Sequence, residues 1–199
     1  RTPRQAPPEI PTDELHQIDG WTWVRLAAAT DTSRSVLRAV RVCGGMAVAT
    51  DRHRLHLAPV ACRDGLWDAE LMEPAAGEYP PYEHLLEREG PVMELADLDG
   101  AWQVLRYARP GMVELPFGRG RATFDADQLA EVLLGAGPGG RVLLSAAAGD
   151  MAIRIDFPGL GRTALLTRVP GRHPSADLSL FVRPLEPAAG LANPTESRR

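Results

Sequence analysis

The chain contains no lysine: its 22 positive side chains are all arginine, set against 26 acidic residues for a formal net charge of −4. A protein that coats nucleic acid non-specifically is basic over its whole domain, so this balance excludes that class and leaves room only for a local basic surface. The arginine bias itself is compositional, of the kind a GC-rich genome produces. Cysteine is scarce. Cys43 and Cys62 have no Cys-x-x-Cys spacing, which removes a disulfide framework and a zinc site and leaves two reduced thiols. No apolar run reaches the roughly 18–20 residues that span a bilayer, and no charged-then-apolar leader opens the chain. The expectation is a cytoplasmic protein without a membrane partner. Phosphate loops, Glu-flanked His-x-x-x-His helices and Gly-x-Ser-x-Gly elbows are also missing, so no cofactor, no metal and no enzyme activity are expected.

What remains is a chain of 199 residues, 44% hydrophobic, which can bury a core. Prolines crowd 1–12, and Pro184, Pro187, Gly190 and Pro194 punctuate the far end. These stretches are expected as a flexible arm (1–12) and a flexible tail (183–199) around a single domain over 13–182. Within it, 21–29 is rich in helix formers, with Asp19-Gly20 before it, and predicts a helix. Strands are expected over 36–42, 46–50 and 54–60, with Gly44-Gly45 as a tight turn. A long surface connection follows over 61–78. A second hairpin is expected from 91–98 and 101–107 around Asp99-Gly100. Asp125 is placed to cap a helix running to about Ala136, whose Leu129, Val132, Leu133 and Ala136 form one apolar stripe. Strands over 142–146, 151–157 and 163–169 complete an α+β layout.

Two segments carry more than local structure. Residues 49–58 read Ala-Thr-Asp-Arg-His-Arg-Leu-His-Leu-Ala, and residues 79–86 read Tyr-Pro-Pro-Tyr-Glu-His-Leu-Leu. Together they resemble the paired ATDGHRL and FPDYRRVLP segments of the bacterial DNA polymerase III beta subunit, the replicative sliding clamp. The likeness covers 27–86 and, more loosely, 121–169. It implies a clamp-like domain of two helix-plus-antiparallel-sheet halves related by an approximate two-fold. It further implies a non-catalytic processivity factor of DNA replication and repair, whose groove grips short peptides of polymerases and repair enzymes. On that resemblance the groove falls to Leu37, Thr50, His53, Arg54, Leu55, Pro80 and Leu85. The three leucines would form an apolar floor, with Arg54 as a hydrogen-bond fork for a peptide carboxylate or carbonyl. Residues 165–170 resemble the family's closing strand, without its Met-Pro-Met ending.

The departures matter as much. Arg52 stands where the family has Gly, so a positive φ there would be strained or lost. Pro81, Glu83 and His84 replace an Asp-Arg-Arg sequence. Arg25, Arg34, Arg38 and Arg52, together with Arg41, are candidates for contact with double-stranded DNA, but the expected helices carry few cations: Arg25 in the first, none in the second. The chain has room for one such domain, so closing a six-domain ring would take about six copies as a homo-oligomer. The alternative is a clamp-like regulator or inhibitor that binds the clamp or its clients without encircling DNA. An enzyme using His53, or Asp125 with Asp127, is a third reading. His53 and His56, three apart on a strand, point to opposite faces and do not suit a shared metal.

Overall fold

In the computed structural model the described residues are 18–31, 35–117, 120–137 and 140–185; the expected arm over 1–12, Arg34, and the tail from 186 onward lie outside them. Helix α1 (Gly20–Arg25) is shorter than its sequence pattern suggests. Asp19 caps it by accepting a 2.8 Å hydrogen bond from the Thr22 amide. After Arg25 the chain tightens into bonds that skip three residues, from Leu26, Ala27 and Ala28, and the α-helix ends. Residues expected to begin a strand instead form a short 3-10 turn (Ser35–Arg38) leading into β1 (Ala39–Cys43). Gly44 and Gly45, with φ of 58° and 76°, make the tight turn into β2 (Met46–Thr50). β3 (Arg54–Pro59) follows, and β4 (Gly65–Asp68) pairs with β1 inside the segment expected to be all connection.

The expected second hairpin is corrected. β5 (Arg88–Leu95) is a strand, but the residues after it form helix α2 (Leu98–Ala108). Asp97 caps that helix through the Gly100 amide at 2.8 Å. Its buried residues Ala101, Trp102, Leu105 and Ala108 recur at helical spacing, and that period outweighs the Asp-Gly turn signal. β6 (Met112–Phe117) and β7 (Gly120–Asp125) come next. Asp125 then caps α3 (Ala126–Leu133) as the sequence suggests, accepting from the Gln128 amide at 3.0 Å. β8 (Val142–Ala147), β9 (Ala152–Phe157) and β10 (Arg162–Thr167) agree with expectation. β11 (Ala176–Asp177) and β12 (Val182–Pro184) close the described chain, so the sheet runs two residues past the expected domain end at 182.

Nine strands form one antiparallel sheet in the order β12-β5-β8-β9-β10-β3-β2-β1-β4, and β11-β6-β7 form a smaller one. β3 and β10 meet at the centre of the large sheet and join the early and late parts of the chain, with Leu55 opposite Leu165. The helices pack on one face: α1 lies on β1, β2 and β3, and α3 lies against β10 and α2. Among the described residues no helix is long and apolar enough to cross a membrane.

Trp23 is the anchor of the helical side. It is fully buried, stacks on His56 with ring centroids 4.3 Å apart, and meets Phe157 edge-on at 5.6 Å. Its Nε1 donates to the Val132 carbonyl at 3.1 Å. Arg162 lies over the ring at 5.6 Å and donates to the carbonyls of Ile18 and Gly135. The Nδ1 of His56 donates to the Trp23 carbonyl at 2.9 Å. Burial pushes the His56 pKa down from 6.5 to about 3, against the opposing pull of that hydrogen bond. A folded pKa below the unfolded one means the stability is complete above pH 6.5 and declines as pH falls toward 3, because only the unfolded chain takes up the proton. Melting temperature measured across that range should fall with a shallower slope in His56→Phe than in the unsubstituted protein.

Candidate functional site

The turn between β2 and β3 is built by its own polar side chains. Asp51 Oδ1 accepts from the amides of His53 (2.8 Å) and Arg54 (2.9 Å). Thr50 Oγ1 donates to the Arg54 carbonyl at 2.6 Å and accepts from the Arg52 amide at 3.1 Å. This Thr-Asp frame holds Arg52 at φ 81°, in the left-handed region. The positive φ flagged at Arg52 is therefore retained, with a full side chain on it. On the far side, Thr167 ties β10 to the same turn through two hydrogen bonds to the His53 carbonyl, from its amide at 2.8 Å and its hydroxyl at 2.9 Å.

Beyond the turn, alternate residues of β3 part ways. His56 and Ala58 face α1, while Leu55 and Leu57 join Val48, Tyr79, Leu85 and Leu165 in a second, smaller apolar cluster on the opposite face. The segment over 79–88 lies across that face and is held by several contacts. Arg41 pairs with Glu83 at 3.8 Å and sits over the Tyr82 ring at 5.9 Å. Tyr79 meets Tyr82 edge-on, and burial pushes its phenol pKa up. Arg154 donates to the Leu86 carbonyl and to Asp156, which also pairs with Arg88 at 2.9 Å. Burial opposes the charge of Asp156, but the bonds from Arg154 and Thr163 and the charges of Arg154 and Arg88 outweigh it, so its carboxyl titrates below the usual range.

Between the turn, the crossing segment and β10 lies an open cavity of about 760 Å³. All seven residues expected to form the groove, Leu37, Thr50, His53, Arg54, Leu55, Pro80 and Leu85, line it. Val36, Pro81, Tyr82, Ala148, Met151, Ala152, Leu165 and Thr167 line it as well, with Arg52. Leu165 and Thr167 are legible in sequence as alternate positions of a closing strand; the turn residues Ala148 and Met151 carry no sequence signal. The expected fork of Arg54 is engaged internally: its guanidinium bonds Asp51 at 3.1 Å and Glu131 of α3, and its side chain is 13% exposed. The wall it offers is thus largely neutralised, and the cavity is predominantly apolar.

Of the arginines considered for DNA, Arg25 and Arg52 lie on opposite faces of the sheet. Arg25 ends α1 on the helical face, Arg52 lines the cavity on the other, and Arg38 pairs with Glu70 at 3.7 Å. Arg34 lies outside the described residues. The exposed faces of the helices offer Arg25 and Arg106 beside Asp99, while Asp127 and Glu131 are half-buried and paired with Arg109 and Arg54. The residues weighed for catalysis are dispersed. Asp125 caps α3, Asp127 pairs with Arg109, and His53 lines the cavity on the opposite face of the sheet. Among the described residues no group of His, Cys, Asp or Glu could hold a metal ion.

No protein-family model and no curated protein sequence matches the chain. Solved structures do. The beta sliding clamp of Caulobacter crescentus superposes with a TM-score of 0.61 at 16% identity, over 75% of this chain and 62% of that one. The DNA polymerase III beta subunit of Pseudomonas aeruginosa gives 0.58 at 15% identity, over 74% and 62%. That of Borrelia burgdorferi gives 0.59 at 13% identity, over 76% and 62%. The match thus spans about three fifths of the length of these clamps. A nine-stranded antiparallel sheet backed by helices, a cavity at its central seam and these superpositions together give the chain the α+β fold of the DNA polymerase III beta sliding clamps.

Proposed function

We propose that this protein is a non-catalytic, clamp-fold protein of DNA replication or repair that docks short peptides of partner proteins, such as polymerases and repair enzymes, in the cavity beside β3 and β10. One observation carries the reading. Two segments separated by about twenty residues of sequence converge with the closing strand on one apolar cavity of about 760 Å³, a size suited to a few side chains. A groove lined by leucines, prolines and a tyrosine takes its occupant by apolar burial. Short hydrophobic peptides containing Gln or Asp, dye-labelled and titrated by fluorescence anisotropy, test it: saturable binding supports the reading, and its absence removes it.

The helical face favours a particular form of this function. Duplex binding depends on neutralising phosphates, and the three helices offer few cations for it, Arg25 and Arg106, with Asp99 exposed beside them. The protein accordingly acts on clamp clients, or on the clamp itself, without threading DNA, as a regulator of those contacts. Retention on duplex DNA at low salt separates the two forms. No retention is expected, with recovery of clamp clients in a pull-down. Tight, steeply salt-dependent binding, together with a stable species of about six copies in light scattering, would restore the encircling ring.

A further inference from the structure

We propose that Arg52 sets the selectivity of the cavity, favouring peptides that place a carboxylate beside their apolar side chains; this rests on the peptide-docking reading above. Three observations converge on it. The cavity has no acidic lining residue, and of its two arginines Arg54 is already bonded to Asp51 and Glu131. Arg52, by contrast, is exposed, and among the described residues its guanidinium has no carboxylate partner. Arg168 reaches the Met151 carbonyl and sulfur from outside the lining, so among the lining arginines Arg52 is the one without a carboxylate partner.

Its backbone supplies the third observation. Arg52 sits at φ 81°, a conformation that Gly or Asn adopts with less strain. The Thr50 and Asp51 side chains hold the turn in that shape whatever residue occupies position 52. A long cationic side chain is therefore kept where the backbone disfavours it, at the mouth of an apolar site. Strain tolerated at a binding surface points to a use for the side chain that causes it. A guanidinium there gives a peptide carboxylate a charge-assisted, bidentate partner, while the apolar walls take the neighbouring side chains.

The test uses dye-labelled hexapeptides with two fixed leucines and a single aspartate moved through the other positions, each matched by its asparagine counterpart. Anisotropy titrations compare the unsubstituted protein with Arg52→Asn, which tolerates the positive φ, and Arg52→Lys, which keeps the charge. At least one aspartate peptide should bind about ten-fold tighter than its partner, the effect expected of one charged hydrogen bond. The Arg52→Asn substitution is expected to abolish that preference, Arg52→Lys to retain part of it, and about 0.5 M salt to shrink it. Leucine peptides that bind equally well with Asp or Asn, or a preference that survives Arg52→Asn, would overturn the role of Arg52 and leave docking intact. If no peptide binds, the docking reading falls and this inference with it.

Discussion

Trp23→Ala is expected to lower folding stability by about 3–5 kcal/mol, the range for removing a buried large aromatic side chain, out of a total of roughly 5–15 kcal/mol for a domain. The indole is enclosed on several sides. His56 stacks on one face, Phe157 meets it edge-on, Arg162 lies over it, and its Nε1 is bonded to the Val132 carbonyl. Alanine would leave a cavity that neighbouring strands cannot fill and would orphan the polar partners at once. Those partners belong to β3, β9, β10 and the end of α3, so one substitution loosens the join between the early and late parts of the chain. Gly135→Ala approaches the same place from the other direction. A Cβ at Gly135 would lie 2.5 Å from the Trp23 ring, which must then shift, at about 1–3 kcal/mol. Urea denaturation of both variants measures this; a loss below about 1 kcal/mol for Trp23→Ala would show that the helix is not anchored there.

Leu85→Arg is expected to weaken peptide binding by about two orders of magnitude with little change in melting temperature. Leu85 is half-buried in the 3-10 turn of the crossing segment and lines the cavity. A guanidinium in that wall removes apolar contact from the ligand and must keep its own water, and each effect costs about 1–3 kcal/mol of binding. The turn itself is held by Arg41, Arg154 and the tyrosine pair, none of which depends on Leu85. Leu85→Met, which conserves volume, should bind nearly as the unsubstituted protein does. Equal affinities for Leu85→Arg and Leu85→Met would place the ligand elsewhere.

The residues of the site were legible through the resemblance carried by two short segments, and the frame of the turn is itself local. Thr50, Asp51 and Arg54 bond within five residues of one another, so a short motif is enough to specify the turn. The alternation of β3 sends Leu55 to the cavity and His56 to the helix, and a period of two is visible in sequence. Long-range pairing was not readable. Nothing in the sequence says that Arg54 reaches Glu131, or that Met151 comes to the cavity. Helix α2 reads as the second arm of a hairpin because Asp99-Gly100 mimics a turn, whereas Asp97 caps the helix and Gly100 supplies the amide it bonds. Strands β11 and β12, of two and three residues, take their order from tertiary contacts rather than from pattern.

Methyl chemical-shift mapping shows whether peptides occupy the cavity at the seam of β3 and β10. With Leu, Val and Met methyls labelled, addition of a short hydrophobic acidic peptide should shift Val36, Leu37, Leu55, Leu85, Met151 and Leu165, which all line the cavity. Val24, Leu129 and Val132, buried on the helical side, should not move. Shifts confined to the helical face, or none at millimolar peptide, would rule out docking at this cavity.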